Sequence, residues 1–269
     1  MSDNLTITLI QSSLHWENPE ANLNMFSEKI TAIKGKTDLI ILPEMFSTGF
    51  SLNAEAHAEE SKSSSSIEWM KNTAMQKDCA IVGSLMLEES GEYYNRLIWM
   101  NSNGKFQQYD KRHLFSFSKE EQIYTAGTER LMVELNGWKI CPLVCYDLRF
   151  PVWSRNSNDN TYDLLIYVAN WPERRNYAWK QLLVARAIEN QSYVIGVNRI
   201  GNDGNDLYYS GDSMAIDALG NILYHRRDEE DVFTIELKKE DLNTVRKTFQ
   251  FLKDADSFVI DSKSKIKGH

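Results

Sequence analysis

The stretch from residue 163 to residue 198 constrains the fold more than any other part of this chain. Residues 163–169 (DLLIYVA) are apolar and partly β-branched, a composition typical of a buried central strand. Residues 177–191 then carry apolar side chains at helical spacing, and residues 192–198 have the pattern of another strand. A strand, a helix and a strand in direct succession predict an α/β fold.

The rest of the chain repeats this alternation. Further strands are predicted at residues 5–11, 38–42, 79–87, 138–144 and 232–237, a loop at 61–66, and further helices at 22–34 and 67–77. Asn103-Gly104 and Leu219-Gly220-Asn221 are turn sequences that predict two β-hairpins. Because a hairpin pairs its strands antiparallel, we expect mixed sheets.

The chain is predicted to form one domain over residues 1–269, with its core between about residues 5 and 237. We find no internal repeat and no linker long enough to separate two domains. Residues after about 254 show little periodicity. We expect this C-terminal tail to stay irregular or to pack on a partner subunit.

The charge balance argues against two classes of partner. The chain has 30 Lys and Arg against 38 Asp and Glu, a formal net charge of -8 at pH 7. An acidic chain does not attract nucleic acid or an anionic membrane through its overall field, so neither is expected as a partner. The N-terminal sequence does not resemble a signal peptide, and no stretch reaches the roughly 20 apolar residues of a membrane span. We therefore expect a cytoplasmic protein.

The sequence lacks the common metal and nucleotide motifs. It has no CxxC, no HExxH and no histidine cluster, and its three cysteines do not form a disulfide framework. It has no GxGxxG and no GxxxxGK[ST]. We therefore expect no metal and no cofactor.

Cys145 is the first candidate for chemistry. It ends the predicted strand 138–144 and precedes the polar segment YDLRFP. A side chain at a sharp strand end can be exposed at the edge of a sheet, as in nucleophile elbows. For a cysteine considered alone, burial in the core is the more common outcome. Cys79 and Cys141 lie inside apolar strands and are interpreted as core residues.

Lys111 and Glu44 also follow predicted strands. A lysine beside a cysteine lowers the thiol pKa and can stabilise an oxyanion, although most lysines are simply solvated. Glu44 follows the apolar run DLIILP, where a partly desolvated carboxylate suits a general base; the alternative is an exposed loop residue. His113 could be proposed as the base of a Cys-His pair, but we interpret it as structural.

The common position of these residues at strand ends is more informative than any one of them. Ligands of open α/β sheets bind beyond the carboxyl ends of the strands. Glu120 is a weaker candidate, because Lys119 and Glu121 flank it and the group could be a solvated helix start.

Three segments together resemble the nitrilase superfamily, the carbon-nitrogen hydrolases. They are LPEMFSTGF with Glu44, YDKRHLF with Lys111, and CPLVCYDLRFP with Cys145. The resemblance continues through ANWPERR, AWKQLLVARAIENQSYVIGVNRIG and YSGDSMAIDALGNIL, from about residue 5 to residue 237. It implies a four-layer α-β-β-α sandwich that forms homodimers or larger homo-oligomers.

The resemblance also implies a mechanism. Glu44 would accept the thiol proton and Cys145 would attack the amide carbon. Lys111 and the backbone N–H of Tyr146 would hold the oxyanion, ammonia would leave, and water would hydrolyse the thioester.

The family often has a fourth residue, a Glu seven positions before a glycine. Glu120 stands seven positions before Gly127, although the usual Pro-Gly is replaced by Ala126-Gly127.

Within the family, CYDLRFP resembles amidases, since nitrilases tend to have Trp-Glu after the cysteine. The ANWPERR to ARAIENQ block looks like the omega-amidase branch, which hydrolyses terminal amides of short 2-oxo dicarboxylic acid monoamides such as 2-oxoglutaramate and 2-oxosuccinamate. Such substrates carry a carboxylate, so a cationic anchor is expected. Arg149, Arg174 and Arg175 are the candidates, and the alternative for each is a structural or surface ion pair.

Two alternatives to this function remain open. The enzyme could act on another C–N substrate, namely an aliphatic amide, a carbamoylated amine or a nitrile. The chain could also be a catalytically silent binding or interaction protein. The presence of Glu44, Lys111 and Cys145 argues against the second alternative.

Overall fold

The computed structural model describes residues 4–156 and 161–260 and contains two seven-stranded sheets. In chain order the strands are β1 (Leu5–Gln11), β2 (Leu39–Ile41), β3 (Glu59–Glu60), β4 (Ala80–Glu89), β5 (Glu92–Met100), β6 (Phe106–Asp110), β7 (Val133–Leu135), β8 (Trp138–Val144), β9 (Leu164–Ala169), β10 (Tyr193–Asn198), β11 (Ile200–Asn202), β12 (Tyr208–Ile216), β13 (Ile222–Arg227) and β14 (Asp231–Leu237). The α-helices are α1 (Pro19–Thr31), α2 (Ala54–His57), α3 (Ser65–Lys77), α4 (Pro151–Ser154), α5 (Asn176–Asn190) and α6 (Lys239–Thr248). Short 3-10 helices cover Ser116–Ser118, Glu120–Gln122, Cys145–Arg149, Glu173–Arg175 and Phe251–Asp254.

Both sheets are mixed, as the sequence predicted. The first has the order β14-β1-β2-β4-β5-β6, with β3 beside β4, and the second has the order β11-β12-β10-β9-β8-β7, with β13 beside β12. Three neighbouring strands run parallel in each sheet: β1, β2 and β4 in the first, and β8, β9 and β10 in the second. Antiparallel strands complete both edges.

Alternate residues of β2 show how the layers are stacked. Ile40 is buried with side chains from α1 and α3, whereas Leu39 and Ile41 belong to a cluster that includes residues of β8, β9 and β10. Successive side chains of a strand point to opposite faces, so the first sheet has helices on one face and the second sheet on the other. Helix α5 adds Trp179 and Leu183 to the core of the second sheet. The result is the expected four-layer α-β-β-α sandwich.

The helix boundaries differ from the predicted ones because of capping. Helix α1 begins at Pro19, three residues earlier than predicted, since the Asn18 side chain accepts a hydrogen bond from the N–H of Ala21 at 3.1 Å. Helix α3 begins within the predicted loop 61–66, because Ser64 caps it by accepting from the N–H of Ile67 at 3.1 Å.

Helix α6 was not predicted. Its sequence, KEDLNTVRKT, is mostly charged or polar, and Leu242 is its only fully buried residue. Leu242 belongs to the main core, so the core extends beyond residue 237. Residues 255–260 form no regular element, and residues 261–269 of the tail lie outside the described residues, so packing of the tail on a partner stays a prediction. No helix in the described part of the chain is both long and apolar enough to cross a membrane.

Strand direction brings the candidate residues to one end of the sandwich. β5 is antiparallel to both β4 and β6, so β6 runs in the same direction as β2 and β4. Glu44 follows β2 and Lys111 follows β6, so both leave the same edge of the first sheet. In the second sheet, Cys145 and Asn170 directly follow the parallel strands β8 and β9.

Candidate active site

Cys145 lies at a strained turn between β8 and a 3-10 helix. Its φ is 42°, in the left-handed region that costs a non-glycine residue roughly 1–2 kcal/mol. The residue is 9% exposed and lines a cavity of about 440 Å³. Its thiol is directed toward the carbonyl oxygen of Asn170, 3.9 Å from Sγ. The turn therefore presents the sulfur to the cavity, as expected for a nucleophile elbow.

Glu44 is completely buried, and hydrogen bonds fix its carboxylate. Oε1 accepts from Lys111 Nζ at 2.9 Å and from Asn95 Nδ2 at 2.8 Å. Oε2 accepts from the backbone N–H of Asn170 at 2.8 Å. The same carboxylate is close enough to the Cys145 thiol to raise the pKa of that thiol. Glu44 therefore has the position that a base for this thiol requires.

Lys111 is buried between two carboxylates. Its Nζ donates to Glu44 Oε1 at 2.9 Å and to both carboxylate oxygens of Glu120, at 3.0 and 2.9 Å. Burial alone would lower the pKa of Lys111, but the charges of Glu120 and Glu44 outweigh burial and raise it above its ordinary value. The lysine is therefore a permanent cation and not a base.

Glu120 has no exposed surface and accepts four hydrogen bonds from three donor groups. Besides the two bonds from Lys111, Oε1 accepts from Asn95 Nδ2 at 3.3 Å and Oε2 accepts from the backbone N–H of Phe115. Burial raises the pKa of Glu120, the Lys111 cation lowers it, and the Glu44 charge raises it; the net direction is upward. Because all of these neighbours are donors, the ionised carboxylate is the form that fits at neutral pH.

The thiol of Cys145 is protonated at rest. Burial and the Glu44 carboxylate raise its pKa well above 9.0, and Lys111 opposes this only in part. The site is therefore not a preformed thiolate, and attack by this sulfur would require a nearby base.

The three arginines predicted from the sequence also line the cavity. Arg149 lies over the ring of Trp171, and Arg175 over the ring of Phe115, each with its guanidinium carbon 4.9 Å from the ring centre. Arg174 is more exposed. Within residues 4–156 and 161–260, none of the three forms an ion pair with a carboxylate, so the alternative reading as ion-pair partners has no support there. Each of them lines the cavity without a directly bonded carboxylate among the described residues.

Tyr146 lines the cavity, whereas His113 does not. The Tyr146 ring lines the cavity and packs edge-on against Phe115 and Phe150. Its N–H lies in the first turn of the 3-10 helix, where an amide has no partner within the helix. His113 stacks on Phe150 at 3.7 Å and bonds Asp147, and it is not among the residues that line the cavity.

Two polar residues of this site were missed by sequence reasoning. Asn170 contacts Glu44 through its backbone N–H and through Nδ2, which donates to the Glu44 carbonyl at 2.6 Å. It follows β9 directly, so the strand-end argument could have found it. Asn95 lies inside β5, between Tyr94 and Arg96, and not at a strand end, so the sequence gives no comparable signal. In the described part of the chain, no group of three or more His, Cys, Asp or Glu is arranged to hold a metal ion.

Comparison with known proteins agrees with this arrangement. Residues 6–247 match the family model described as carbon-nitrogen hydrolase. Omega-amidase YafV of Escherichia coli (strain K12) is 45% identical over 94% of this chain and 98% of its own. The 2-oxoglutaramate amidase of Bacillus subtilis (strain 168) is 32% identical over 93% of this chain and 96% of its own.

A solved structure supports the same relationship. A carbon-nitrogen hydrolase superfamily protein of Xanthomonas campestris, with an arsenic adduct in its active site, superimposes with a TM-score of 0.93. It is 44% identical and is matched over 96% of this chain and 99% of its own. This chain belongs to the carbon-nitrogen hydrolase family.

Proposed function

We propose that this protein is an omega-amidase. It hydrolyses the terminal carboxamide of a short 2-oxo dicarboxylic acid monoamide, of the 2-oxoglutaramate or 2-oxosuccinamate type, to the 2-oxo acid and ammonia. One observation carries this proposal: a buried thiol, carboxylate and ammonium share a cavity with three arginines that have no acidic partner among the described residues. The names of the E. coli and B. subtilis relatives support the same substrate class.

The first half of the reaction forms a thioester. Glu44 takes the proton from Cys145, and the sulfur attacks the amide carbon. The oxyanion that forms is stabilised by Lys111 Nζ and the N–H of Tyr146. The protonated Glu44 then gives its proton to the leaving nitrogen, so ammonia departs and the acyl group remains on the sulfur.

The second half returns the enzyme to its starting state. Glu44 removes a proton from water, which attacks the thioester carbon. The same two donors stabilise the second oxyanion, the carboxylic acid product leaves, and the thiolate is reprotonated. Glu120 holds Lys111 in place through two hydrogen bonds, so the ammonium stays beside the reacting carbon throughout.

Arg175 is the favoured anchor for the substrate carboxylate. Burial and the neighbouring Arg174 charge lower its pKa, which means that its positive charge is poorly compensated in the free protein. A bound carboxylate would relieve that cost and could accept two hydrogen bonds from the planar guanidinium. The adjacent acid in the sequence, Glu173, pairs with Arg227 at 3.2 Å instead. Arg149 is the second candidate.

The proposal also covers the domain organisation, assembly, location and partners of the protein. We expect a single domain that assembles at least into a homodimer and is located in the cytoplasm, with no nucleic acid and no membrane as partner. Light scattering at micromolar protein concentration tests the assembly, and a strict monomer would contradict it.

The substrate is tested by ammonia release from four compounds side by side: 2-oxoglutaramate, glutamine, asparagine and a simple nitrile. We expect turnover of the oxo-acid amide far above the other three, and no ammonia release with Cys145→Ala. A neutral short amide is assayed in the same way, and turnover equal to that of the oxo-acid amide would replace the omega-amidase with a general short-chain amidase. Turnover of the nitrile alone would indicate a nitrilase.

A further inference from the structure

Asp147 is a buried carboxylate to which the mechanism above gives no role. It has no exposed surface and lies two residues after Cys145 in the 3-10 helix. It is not among the residues that line the cavity. A carboxylate is costly to bury unless it accepts hydrogen bonds, so its partners indicate what it does.

Four donors from two separate segments converge on this side chain. Oδ2 accepts from the N–H of Val144 at 3.1 Å and from the hydroxyl of Tyr109 at 2.8 Å. Oδ1 accepts from the N–H of His113 at 3.0 Å and from His113 Nδ1 at 2.8 Å. Val144 directly precedes Cys145, while Tyr109 and His113 stand two residues on either side of Lys111. One carboxylate therefore contacts both segments that carry the reacting groups.

These two segments need a link because they come from different sheets. Lys111 follows β6 of the first sheet and Cys145 follows β8 of the second. In addition, Cys145 is held in a left-handed conformation that must be enforced by its surroundings. Catalysis by a thiol and an ammonium requires their separation to be held within about 0.5 Å.

We propose that Asp147 is a positioning residue. It fixes Cys145 and Lys111 relative to each other by accepting hydrogen bonds from both chain segments that carry them. The proposal rests on the proposed roles of these two residues. Since Asp147 does not line the cavity, its loss should change the rate of the chemical steps and leave substrate binding nearly intact.

The test is Asp147→Asn, which keeps the shape of the side chain. The amide has one acceptor oxygen, and its NH₂ group would face donors. We expect kcat to fall roughly 10- to 100-fold, the loss produced by small misplacements of reacting groups, with KM within about twofold of wild type. The rate of Cys145 carbamidomethylation by iodoacetamide, followed by peptide mass spectrometry, should fall as well. Cys79 and Cys141 serve as internal references, because both are buried and neither lines the cavity.

Asp163→Asn is the matched control. Asp163 is also a buried carboxylate that accepts several hydrogen bonds, from Lys139 N–H at 2.9 Å, from Lys239 and from Arg246 at 2.8 Å. It precedes β9, at the opposite end of that strand from Asn170. We expect this variant to lower the melting temperature while kcat and the alkylation rate of Cys145 stay at wild-type values.

Tyr109→Phe provides a milder variant in case Asp147→Asn does not fold. It removes one donor to Asp147 and keeps the ring, so a smaller fall in kcat and in alkylation rate is expected. Wild-type values of both rates in folded Asp147→Asn, or in Tyr109→Phe, would overturn the proposal. Equal losses in Asp163→Asn would also overturn it, because the effect would then be general destabilisation. Alkylation needs no substrate, so it still tests Asp147 if the wild-type enzyme does not hydrolyse oxo-acid amides.

Discussion

Glu44 and Lys111 line the cavity, and Glu120, which does not line it, is bonded to Lys111; we call these three residues the charged floor. Arg149, Arg174 and Arg175 line the cavity too and form what we call the arginine wall. On the floor every charge is buried and paired, with Lys111 bonded to both carboxylates at 2.9–3.0 Å. On the wall three cations lack an acidic partner in the described part of the chain and remain partly exposed. Under the proposed function, the reacting groups are fixed in advance and a positive charge is left for the substrate carboxylate to neutralise.

The largest expected effect comes from replacing Cys145, the proposed nucleophile beside the charged floor. Cys145→Ala should abolish ammonia release, since no other described thiol reaches the cavity. Cys145→Ser should be nearly inactive too, because a hydroxyl is much harder for Glu44 to deprotonate. Ammonia assays together with circular dichroism spectra check this. Activity near wild type in Cys145→Ala would refute the whole mechanism.

Lys111→Met removes the only cation of the floor while keeping a similar length. Two buried carboxylates would then face each other without compensation. Loss of one partner of a buried ion pair costs roughly 3–5 kcal/mol, so we expect a fall of that size in the free energy of unfolding. Urea denaturation measures it. An exposed pair gives a matched control: Lys71→Met, which breaks the contact with Glu68, should change stability by less than about 1 kcal/mol.

The arginine wall is tested by replacing its members one at a time. Arg175→Ala should lower kcat/KM for the oxo-acid amide by about 2 kcal/mol, or roughly 30-fold, the lower end of the range for losing a charged partner, because the side chain is only half-buried. A neutral short amide should be affected much less. Arg149→Ala and Arg174→Ala are measured in parallel. If none of the three variants separates the two substrates, these arginines do not recognise the carboxylate.

Strand periodicity predicted an α/β fold with mixed sheets and placed the candidate residues at strand ends, whereas the four-layer arrangement followed only from the resemblance to carbon-nitrogen hydrolases. Glu44, Lys111 and Cys145 each follow a strand closely, and parallel strands deliver their ends to one edge. Asn95 could not be predicted, since its role depends on contacts with Glu44 and Glu120, which are distant from it in the sequence. Helix α6 was missed because a single buried residue, Leu242, leaves no periodic pattern to detect.

The smallest expected effect concerns the protonation of the floor. Burial raises the pKa of Glu120 above 4.5, its ordinary value. The native state therefore keeps this proton to a higher pH than the unfolded chain does. The stability associated with the protonated form is complete below pH 4.5 and is lost as the pH rises through the folded-state pKa.

Glu120→Gln cannot titrate and should lack this loss. The free energy of unfolding of the variant, minus that of the wild type, should thus rise between pH 4.5 and pH 7, by about 1.4 kcal/mol for each pKa unit of difference. Denaturant titrations at several pH values measure it. Glu121→Gln, the exposed neighbour, is the control and should give a nearly flat difference. A difference that falls with pH would mean that the bonds from Lys111 outweigh burial and hold Glu120 ionised more firmly than in water. The charges of the floor would then be stabilised by their mutual hydrogen bonds, in contrast to those of the arginine wall, which have no acidic partner among the described residues.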